Sequence, residues 1–171
     1  EAYYEFAKDS PNYPDSMSYR YDNVITLRTF SKAYGLAGAR IGYGFAHDSL
    51  IQNLMKVKVP FEPSLTAQVA GLAALDDEAF LAETLQVNKK GMAFLKQEFD
   101  ALNIHQVPSE ANFITTVWDS EEKASQLTQS LLENGVIVRQ LTGFGWPNCI
   151  RISVGLESEN QKFIDTLKDI L

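Results

Sequence analysis

The sequence predicts an α/β fold in which the end of one lobe is followed by a small α+β lobe. Two short apolar runs in the first part of the chain are typical of buried strands, residues 23–27 and 40–45. Beyond residue 104, strand-like runs alternate with helical patterns, which favours an α+β layer packed on helices. Prolines punctuate the region between these two parts, so we expect lobes of residues 1–60 and 61–171.

Each further element is predicted from a local pattern. Residues 1–6 are interpreted as the end of a strand and its loop. Apolar residues at helical spacing predict helices at about 48–58, 64–75, 77–102, 120–134 and 157–171. Short β-type runs predict strands at 104–107, 112–117, 136–139 and 149–154. Asp48 is the expected cap of the first helix, Gly91 is a candidate bend in the longest, and Ser158 with Gln161 has capping-box spacing in the last.

The composition is that of an ordinary globular protein, and it argues against several classes of partner and binding site. A net charge of -7 argues against a nucleic-acid partner, because binding along a duplex needs a basic surface. The single cysteine, Cys149, excludes an internal disulfide framework, and without a charged-then-apolar leader we expect a cytoplasmic protein. No apolar run approaches the ~20 residues that cross a bilayer, so no membrane partner is expected. His47 and His105 lack ligand-spaced neighbours, so no metal site is expected.

Residues 29–40, with the sequence TFSKAYGLAGAR, carry the strongest candidate chemistry. Lys32 has small, mostly uncharged neighbours, and desolvation favours the neutral amine that acts as a nucleophile. A lone lysine is usually an exposed loop residue, but here Thr29 and Ser31 add hydroxyls and Arg40 adds a fork that suits a phosphate. The pattern indicates a phosphate-bearing cofactor bound beside an amine.

This string resembles the lysine motif of fold-type I pyridoxal-phosphate-dependent aminotransferases. Its longer form, TFSKAYGLAGARIGY, is most similar to the histidinol-phosphate aminotransferase branch. The resemblance implies pyridoxal 5'-phosphate as the cofactor and Lys32 as the catalytic lysine that attaches it and moves a proton. It also implies that Thr29, Ser31 and Arg40 hold the phosphate. It covers only the carboxy-terminal half of such a protein, namely the end of the large cofactor-binding lobe followed by the small α+β lobe.

A second similarity lies at Glu1-Ala2-Tyr3, which resembles the tail of the Asp-Glu-Ala-Tyr element of this family. The resemblance implies that Tyr3 binds the cofactor by donating a hydrogen bond to its phenolic oxygen. A core tyrosine whose hydroxyl finds a local partner is the alternative.

Two arginines near the end of the chain are candidates for substrate binding. Period-two alternation in residues 149–155 places Arg151 opposite a row of apolar side chains, where it requires an anion. Its structural alternative is a carboxylate such as Asp119 or Glu157. The resemblance implies instead that Arg151 binds the substrate acid group. It places Arg139 near the substrate as well, where the alternative is a solvated charge at a strand end.

Two further features of the sequence bear on the resemblance. Asn112 matches another feature of the branch and has no assigned role. The segment 60–64, PFEPS, departs from the family, because many relatives carry an asparagine after Pro-Phe. The departure makes the local substrate contact uncertain.

The resemblance implies an enzyme of histidine biosynthesis that exchanges an amino group between glutamate and imidazole-acetol phosphate, giving histidinol phosphate. Its partners would be a small amino donor and a phosphorylated or keto acid acceptor, in a homodimeric full-length protein. The isolated chain would be inactive without the upstream half of the site. Alternatives are another amino acid aminotransferase, a phosphorylated-amine enzyme such as a decarboxylase, and a ligand-sensing module fused to a DNA-binding domain.

Overall fold

The computed structural model describes residues 1–19 and 21–171 and divides into two compact units, Glu1–Leu85 and Gln86–Leu171. The lobe boundary expected between residues 60 and 61 lies inside the first unit. The compact units instead divide within a long helix. The assignment of residues 1–60 and 61–171 to separate lobes therefore stays a prediction.

The first unit contains an antiparallel two-stranded sheet formed by β1 (Ile25–Thr29) and β2 (Gly42–Ala46). Both predicted strands are present, shifted by one or two residues. The sheet is followed by two helices that lie entirely in this unit, α2 (Asp48–Met55) and α3 (Leu65–Asp76). A third helix, α4 (Glu78–Ala101), begins in this unit. Short 3-10 turns lie at Ser16–Ser18 and Ala37–Ala39.

The prediction of a strand end at residues 1–6 is wrong. Residues Tyr4–Ala7 form a single helical turn, α1, in which the Ala7 N–H donates to the Tyr3 carbonyl at 3.1 Å. A turn of this length contains too few residues to show a period of 3.6, so its aromatic composition suggested a strand instead.

The predicted helix starts are close to the observed ones, but two caps differ. His47 rather than Asp48 caps α2, because its Nδ1 accepts from the Ser49 N–H at 3.3 Å. The last helix, α6 (Glu157–Ile170), does not use the predicted pair Ser158 and Gln161. Instead Glu159 Oε2 accepts from the Leu156 N–H at 2.7 Å. Side chains that can cap are common, and only the chain path decides which one reaches a free N–H.

The second unit is an α+β layer, as predicted. Its antiparallel sheet has the order β3-β4-β6-β5, with β3 His105–Val107, β4 Phe113–Val117, β6 Trp146–Ser153 and β5 Arg139–Leu141. The helices α5 (Glu121–Glu133) and α6 contribute to a buried core with α4 and the sheet. Fully buried members of that core include Leu95, Phe99, Ile114, Leu127, Ile150 and Ile164. The strand predicted at residues 136–139 begins later, at Arg139, because Val136 and Val138 pack on the core without strand pairing.

The long helix α4 runs without interruption through Gly91. A Cβ at this position would lie 2.4 Å from Val154 Cγ1 and 2.8 Å from Asn160 Nδ2. Gly91 is therefore required by the close approach of α6, and of the residues that connect β6 to it, to the helix.

We expect Gly91→Ala to lower the free energy of unfolding by about 1–3 kcal/mol, because the added methyl overpacks a buried contact. Gly143→Ala is the matched control, since nothing lies within 4 Å of its added Cβ. Urea unfolding of both variants measures the effect. Helix propensity alone would make the Gly91→Ala protein at least as stable as the control. That result would contradict the expected overpacking.

Candidate functional site

The pairing of β1 with β2 closes a loop, residues 30–41, which we call the lysine loop. Thr29 pairs with Gly42 in the sheet register, and the Phe30 N–H donates to the Ile41 carbonyl at 3.3 Å. Within the loop, the Leu36 N–H donates to the Phe30 carbonyl at 2.9 Å. Closure therefore brings the two ends of the loop to the same end of the sheet.

The lysine loop is anchored by apolar side chains on either side of Lys32. Phe30 and Ala33 are buried, whereas Lys32 is exposed. On α3, a Cβ at Gly71 would lie 3.2 Å from Ile41 Cδ1, so this helix packs closely on the loop. The desolvated environment expected for Lys32 is not found among the described residues, because its side chain is exposed.

The predicted phosphate-binding groups lie at the two ends of the lysine loop. Thr29 Oγ1 accepts from the Ser31 N–H at 3.1 Å, which orders the loop start. Arg40 is exposed in a left-handed conformation with φ of 53°, and its Nη1 donates to the Ala37 carbonyl at 2.6 Å. A guanidinium carries several N–H groups, so this bond leaves Arg40 able to bind an anion. Two hydroxyls, an amine and a guanidinium on one closed loop fit a phosphate-bearing aldehyde cofactor.

Tyr3 and Lys32 are brought together by the structure. The Lys32 Nζ lies 5.4 Å from the centroid of the Tyr3 ring. At this distance the ring face attracts a cation. The segment that resembles the Asp-Glu-Ala-Tyr element is therefore adjacent to the candidate lysine.

Arg28 binds several segments of the first unit, although the sequence motifs do not single it out. Its Nε donates to Glu1 Oε2 at 2.9 Å, and its Nη2 donates to Asp15 Oδ1 at 3.3 Å. Its guanidinium carbon lies 3.4 Å from the centroid of the Tyr4 ring. The side chains of Arg28 and Glu1 are 12% and 9% exposed, so this ion pair is largely buried.

The alternation of β1 gives no sequence signal for Arg28, because the structure reverses the side of the strand that the apolar residue would be expected to occupy. Thr26 is buried and Arg28 lies on the same side of the strand, whereas Leu27 between them is 62% exposed. A charge on the inner face beside an exposed leucine is the reverse of the usual pattern. Such a reversal indicates that the charge has a specific partner.

Glu1 is held as a carboxylate by its hydrogen bonds. Burial would raise the pKa of Glu1, but the hydrogen bonds from Ser16 and Arg28, with the positive charge of Arg28, outweigh burial and lower the pKa. The Ser16 N–H donates to Glu1 Oε1 at 2.7 Å. The ion pair with Arg28 is therefore between charged groups at neutral pH.

Glu5 differs from Glu1, although it lies nearby in the same unit. It is 5% exposed, and burial raises its pKa despite the hydrogen bond within its own residue and the charges of Arg28 and Lys8. Burial also raises the pKa values of Tyr34 and Tyr43, with the charge of Glu5 adding to the effect. Ionising this carboxyl is therefore less favourable in the folded protein than in the unfolded chain.

In the second unit, Arg139 and Arg151 face each other across β5 and β6. Like charges directly opposite in an antiparallel pair destabilise it unless an anion binds them. The Nε of Arg151 is buried and has no hydrogen-bond partner among the residues that the structure describes. Aromatic rings flank the pair, with Arg151 5.4 Å from the Phe113 ring centroid and Arg139 5.3 Å from that of Phe144.

The structural alternative for Arg151 is not observed. Neither Asp119 nor Glu157 forms an ion pair with it in the described parts of the chain. Ile150 and Ile152 are buried in the core, so the alternation predicted for this strand is confirmed. Among residues 1–19 and 21–171, no ion pair joins a carboxylate to either arginine.

Two remaining sequence features have clear positions. The carbonyl of Asn112 accepts from the Val154 N–H at 2.9 Å, which gives its backbone a structural role and leaves its side chain without an assigned one. In the departing segment 60–64, Phe61 is 97% exposed with φ of 67°. A bulky residue in this conformation is uncommon, and the Lys58 ammonium holds the segment by donating to the Glu62 carbonyl.

Within residues 1–19 and 21–171, no helix is both long and apolar enough to cross a membrane. Among the same residues, no three His, Cys, Asp or Glu side chains are grouped so that they could hold a metal ion.

Comparison with known proteins covers almost the whole chain. A model of the family Aminotransferase class I and II matches residues 1–167. Histidinol-phosphate aminotransferase 1 of Nitrosococcus oceani is 43% identical over 173 aligned positions, which cover 100% of this chain and 46% of that protein. The chain spans about half the length of the curated relatives it matches.

Solved structures agree in fold. Histidinol-phosphate aminotransferase from Sinorhizobium meliloti, in complex with pyridoxal-5'-phosphate, superposes with a TM-score of 0.87 at 29% identity, covering 100% of this chain and 48% of that chain. A decarboxylase from Sulfurospirillum multivorans superposes with a TM-score of 0.81 at 28% identity, covering 100% and 51% of the two chains. The fold is thus shared by proteins of more than one named activity.

We expect Glu5→Gln to raise the free energy of unfolding at pH 7. Because burial raises the pKa of Glu5, the folded state binds a proton that the unfolded state releases, so stability falls as pH rises from about 4.5 through the raised value. Glutamine removes this loss. Urea unfolding between about pH 5 and pH 8 should give a flatter profile for the variant than for the wild type. An unchanged slope, equal to that of the exposed control Glu83→Gln, argues against a buried proton on Glu5.

Proposed function

This chain belongs to the class I and II aminotransferase family, and we propose that it forms the carboxy-terminal half of a pyridoxal-phosphate-dependent histidinol-phosphate aminotransferase. The family predicted from the lysine motif is confirmed by the match to residues 1–167. The observation that carries the functional proposal is the closed lysine loop, which presents an amine, hydroxyls and a guanidinium together. Identity along the whole chain to histidinol-phosphate aminotransferases supports the branch.

The lysine loop supplies the groups that the cofactor requires. Pyridoxal phosphate, when bound, supplies an electron sink for the substrate carbon. Lys32 would hold the cofactor through its side-chain amine, and that amine would also take and return the proton of the substrate carbon. Thr29, Ser31 and Arg40 hold the phosphate by hydrogen bonds and charge. Tyr3, whose ring lies beside the Lys32 amine, donates a hydrogen bond to the phenolic oxygen.

The opposed arginines of β5 and β6 support an anionic substrate. Arg151 binds the acid group, and Arg139 adds a second positive charge across the strand pair. Glutamate offers a carboxylate and histidinol phosphate a phosphate ester, so the same pair binds each in turn. The proposed reaction moves an amino group from glutamate to imidazole-acetol phosphate, in histidine biosynthesis.

The setting of this reaction is part of the proposal. We assign residues 1–60 to the end of the large cofactor-binding lobe and residues 61–171 to the small lobe of a homodimeric, cytoplasmic enzyme. Since about half of each relative's length lies outside this chain, we expect the isolated 171 residues to lack transaminase activity.

A second candidate is a related enzyme that acts on another phosphorylated amine. This alternative is supported by the structural similarity to a decarboxylase, because a protein of that activity has the same fold. Spectra of the cofactor after addition of each amine separate the two. Transfer of the amino group from histidinol phosphate supports the transaminase, and release of carbon dioxide supports the alternative.

In the full-length protein, Lys32→Ala should abolish the visible absorption band of covalently held pyridoxal phosphate, because the lysine loop contains no other amine. Titration of the apoenzyme with cofactor measures the band. The matched control is Lys56→Ala, which removes an exposed lysine of the same unit and should keep it. A band that persists in Lys32→Ala rules out this assignment.

Arg151→Ala should lower the binding affinity for both glutamate and histidinol phosphate by about ten- to a hundredfold, because each ligand loses charged hydrogen bonds. The two half-reactions, followed separately, measure the affinities. Lys123→Ala on α5 is the control for a general loss of positive charge. If Arg151→Ala kept wild-type affinity in both half-reactions, the shared anion site would be refuted.

A further inference from the structure

Arg28 connects the segment that carries Tyr3 to the strand that leads into the lysine loop. It lies on β1, one residue before Thr29 and four residues before Lys32. Its guanidinium binds the Glu1 carboxylate at 2.9 Å and stacks on the Tyr4 ring at 3.4 Å. One side chain thus joins both parts of the candidate cofactor site in the first unit.

Tyr3 is held from both sides by these contacts. Glu1 and Tyr4 flank it in sequence, and each contacts Arg28. The backbone is constrained as well, because the Tyr4 N–H donates to the Glu1 carbonyl at 3.3 Å and the Ala7 N–H donates to the Tyr3 carbonyl. The contacts of Arg28 therefore restrain the chain segment that places the Tyr3 ring beside Lys32.

A second set of bonds ties the same residues to the turn at Ser16–Ser18. Asp15 accepts from Arg28, and the Ser16 N–H donates to Glu1. The Ser16 hydroxyl lies 2.8 Å from Thr26 Oγ1, on the strand that carries Arg28. Three segments that are distant in sequence are thereby fixed to one guanidinium.

We propose that Arg28 is a positioning residue for the cofactor site, holding Tyr3 at its place beside Lys32 through Glu1 and Tyr4. This inference rests on the proposed function of Lys32 and extends it to a residue that contacts neither cofactor nor substrate. Arginine is required because its planar fork binds carboxylates while its face stacks on a ring, and a lysine ammonium does not do both.

A purely structural role makes a different prediction. A buried ion pair is weak evidence for stability, and its loss lowers stability without altering a distant equilibrium. A positioning role alters the site itself. The two are separated by measuring cofactor affinity and the pH midpoint of the cofactor absorption band together with the unfolding temperature of the apoenzyme.

The experiment compares Arg28→Lys, Tyr3→Phe and the double variant in the full-length protein, with Lys56→Gln as the control. We expect Arg28→Lys to weaken pyridoxal phosphate binding by about tenfold, the effect of losing one charged contact. It should shift the band midpoint in the same direction as Tyr3→Phe. Because Arg28 acts through Tyr3, the double variant should be no weaker than the weaker single variant. Arg28→Gln provides the same comparison if Arg28→Lys does not fold.

Two results would overturn the inference and leave the proposed function standing. One is an Arg28→Lys protein with a lower unfolding temperature but with affinity and midpoint within about twofold of the wild type. The other is a double variant whose loss is the product of the two single losses. Absence of the covalent band from the wild-type holoenzyme would instead overturn the proposed function, and this inference with it.

Discussion

The pairing of β1 with β2 determines where the side chains of the lysine loop lie. Thr29 and Gly42 are partners in this pairing, and a Cβ at Gly42 would lie 2.7 Å from the Arg28 carbonyl, so the strands approach closely only with glycine there. The closed loop turns Phe30 and Ala33 inward and leaves Lys32 exposed. The pairing places Thr29 and Arg40 at the two ends of the loop that carries Ser31 and Lys32.

The two units differ in how much apolar surface they bury. The second has a continuous core formed by α4, α5, α6 and the sheet. In the first, few apolar residues are buried, and large apolar side chains from α2 to α3 are exposed, among them Val57, Phe61, Leu65 and Leu72. Exposed apolar side chains of this size are available for contact with another part of a protein. The exposed side chains support the proposal that the cofactor site around the lysine loop is complete only with the other half of a full-length relative.

Much of the fold was predictable because long amphipathic helices and alternating strands have clear periods. The helix α4 and the inner face of β6 were predicted for this reason. The helical turn α1 and the α6 cap were not, since both depend on which backbone groups the chain path leaves unpaired. Lys32 and Arg151 were found through motif and alternation. Arg28 was missed because its partners, Glu1 and Asp15, are 27 and 13 residues away and no local pattern joins them.

Lys32 is the residue to which we propose that pyridoxal phosphate attaches. Borohydride reduction of the full-length protein with its cofactor makes such a bond permanent, and peptide mass spectrometry locates it. We expect a pyridoxyl group on the peptide containing Lys32 and on no other lysine peptide. A modification found on a different lysine, or none after reduction, would contradict it.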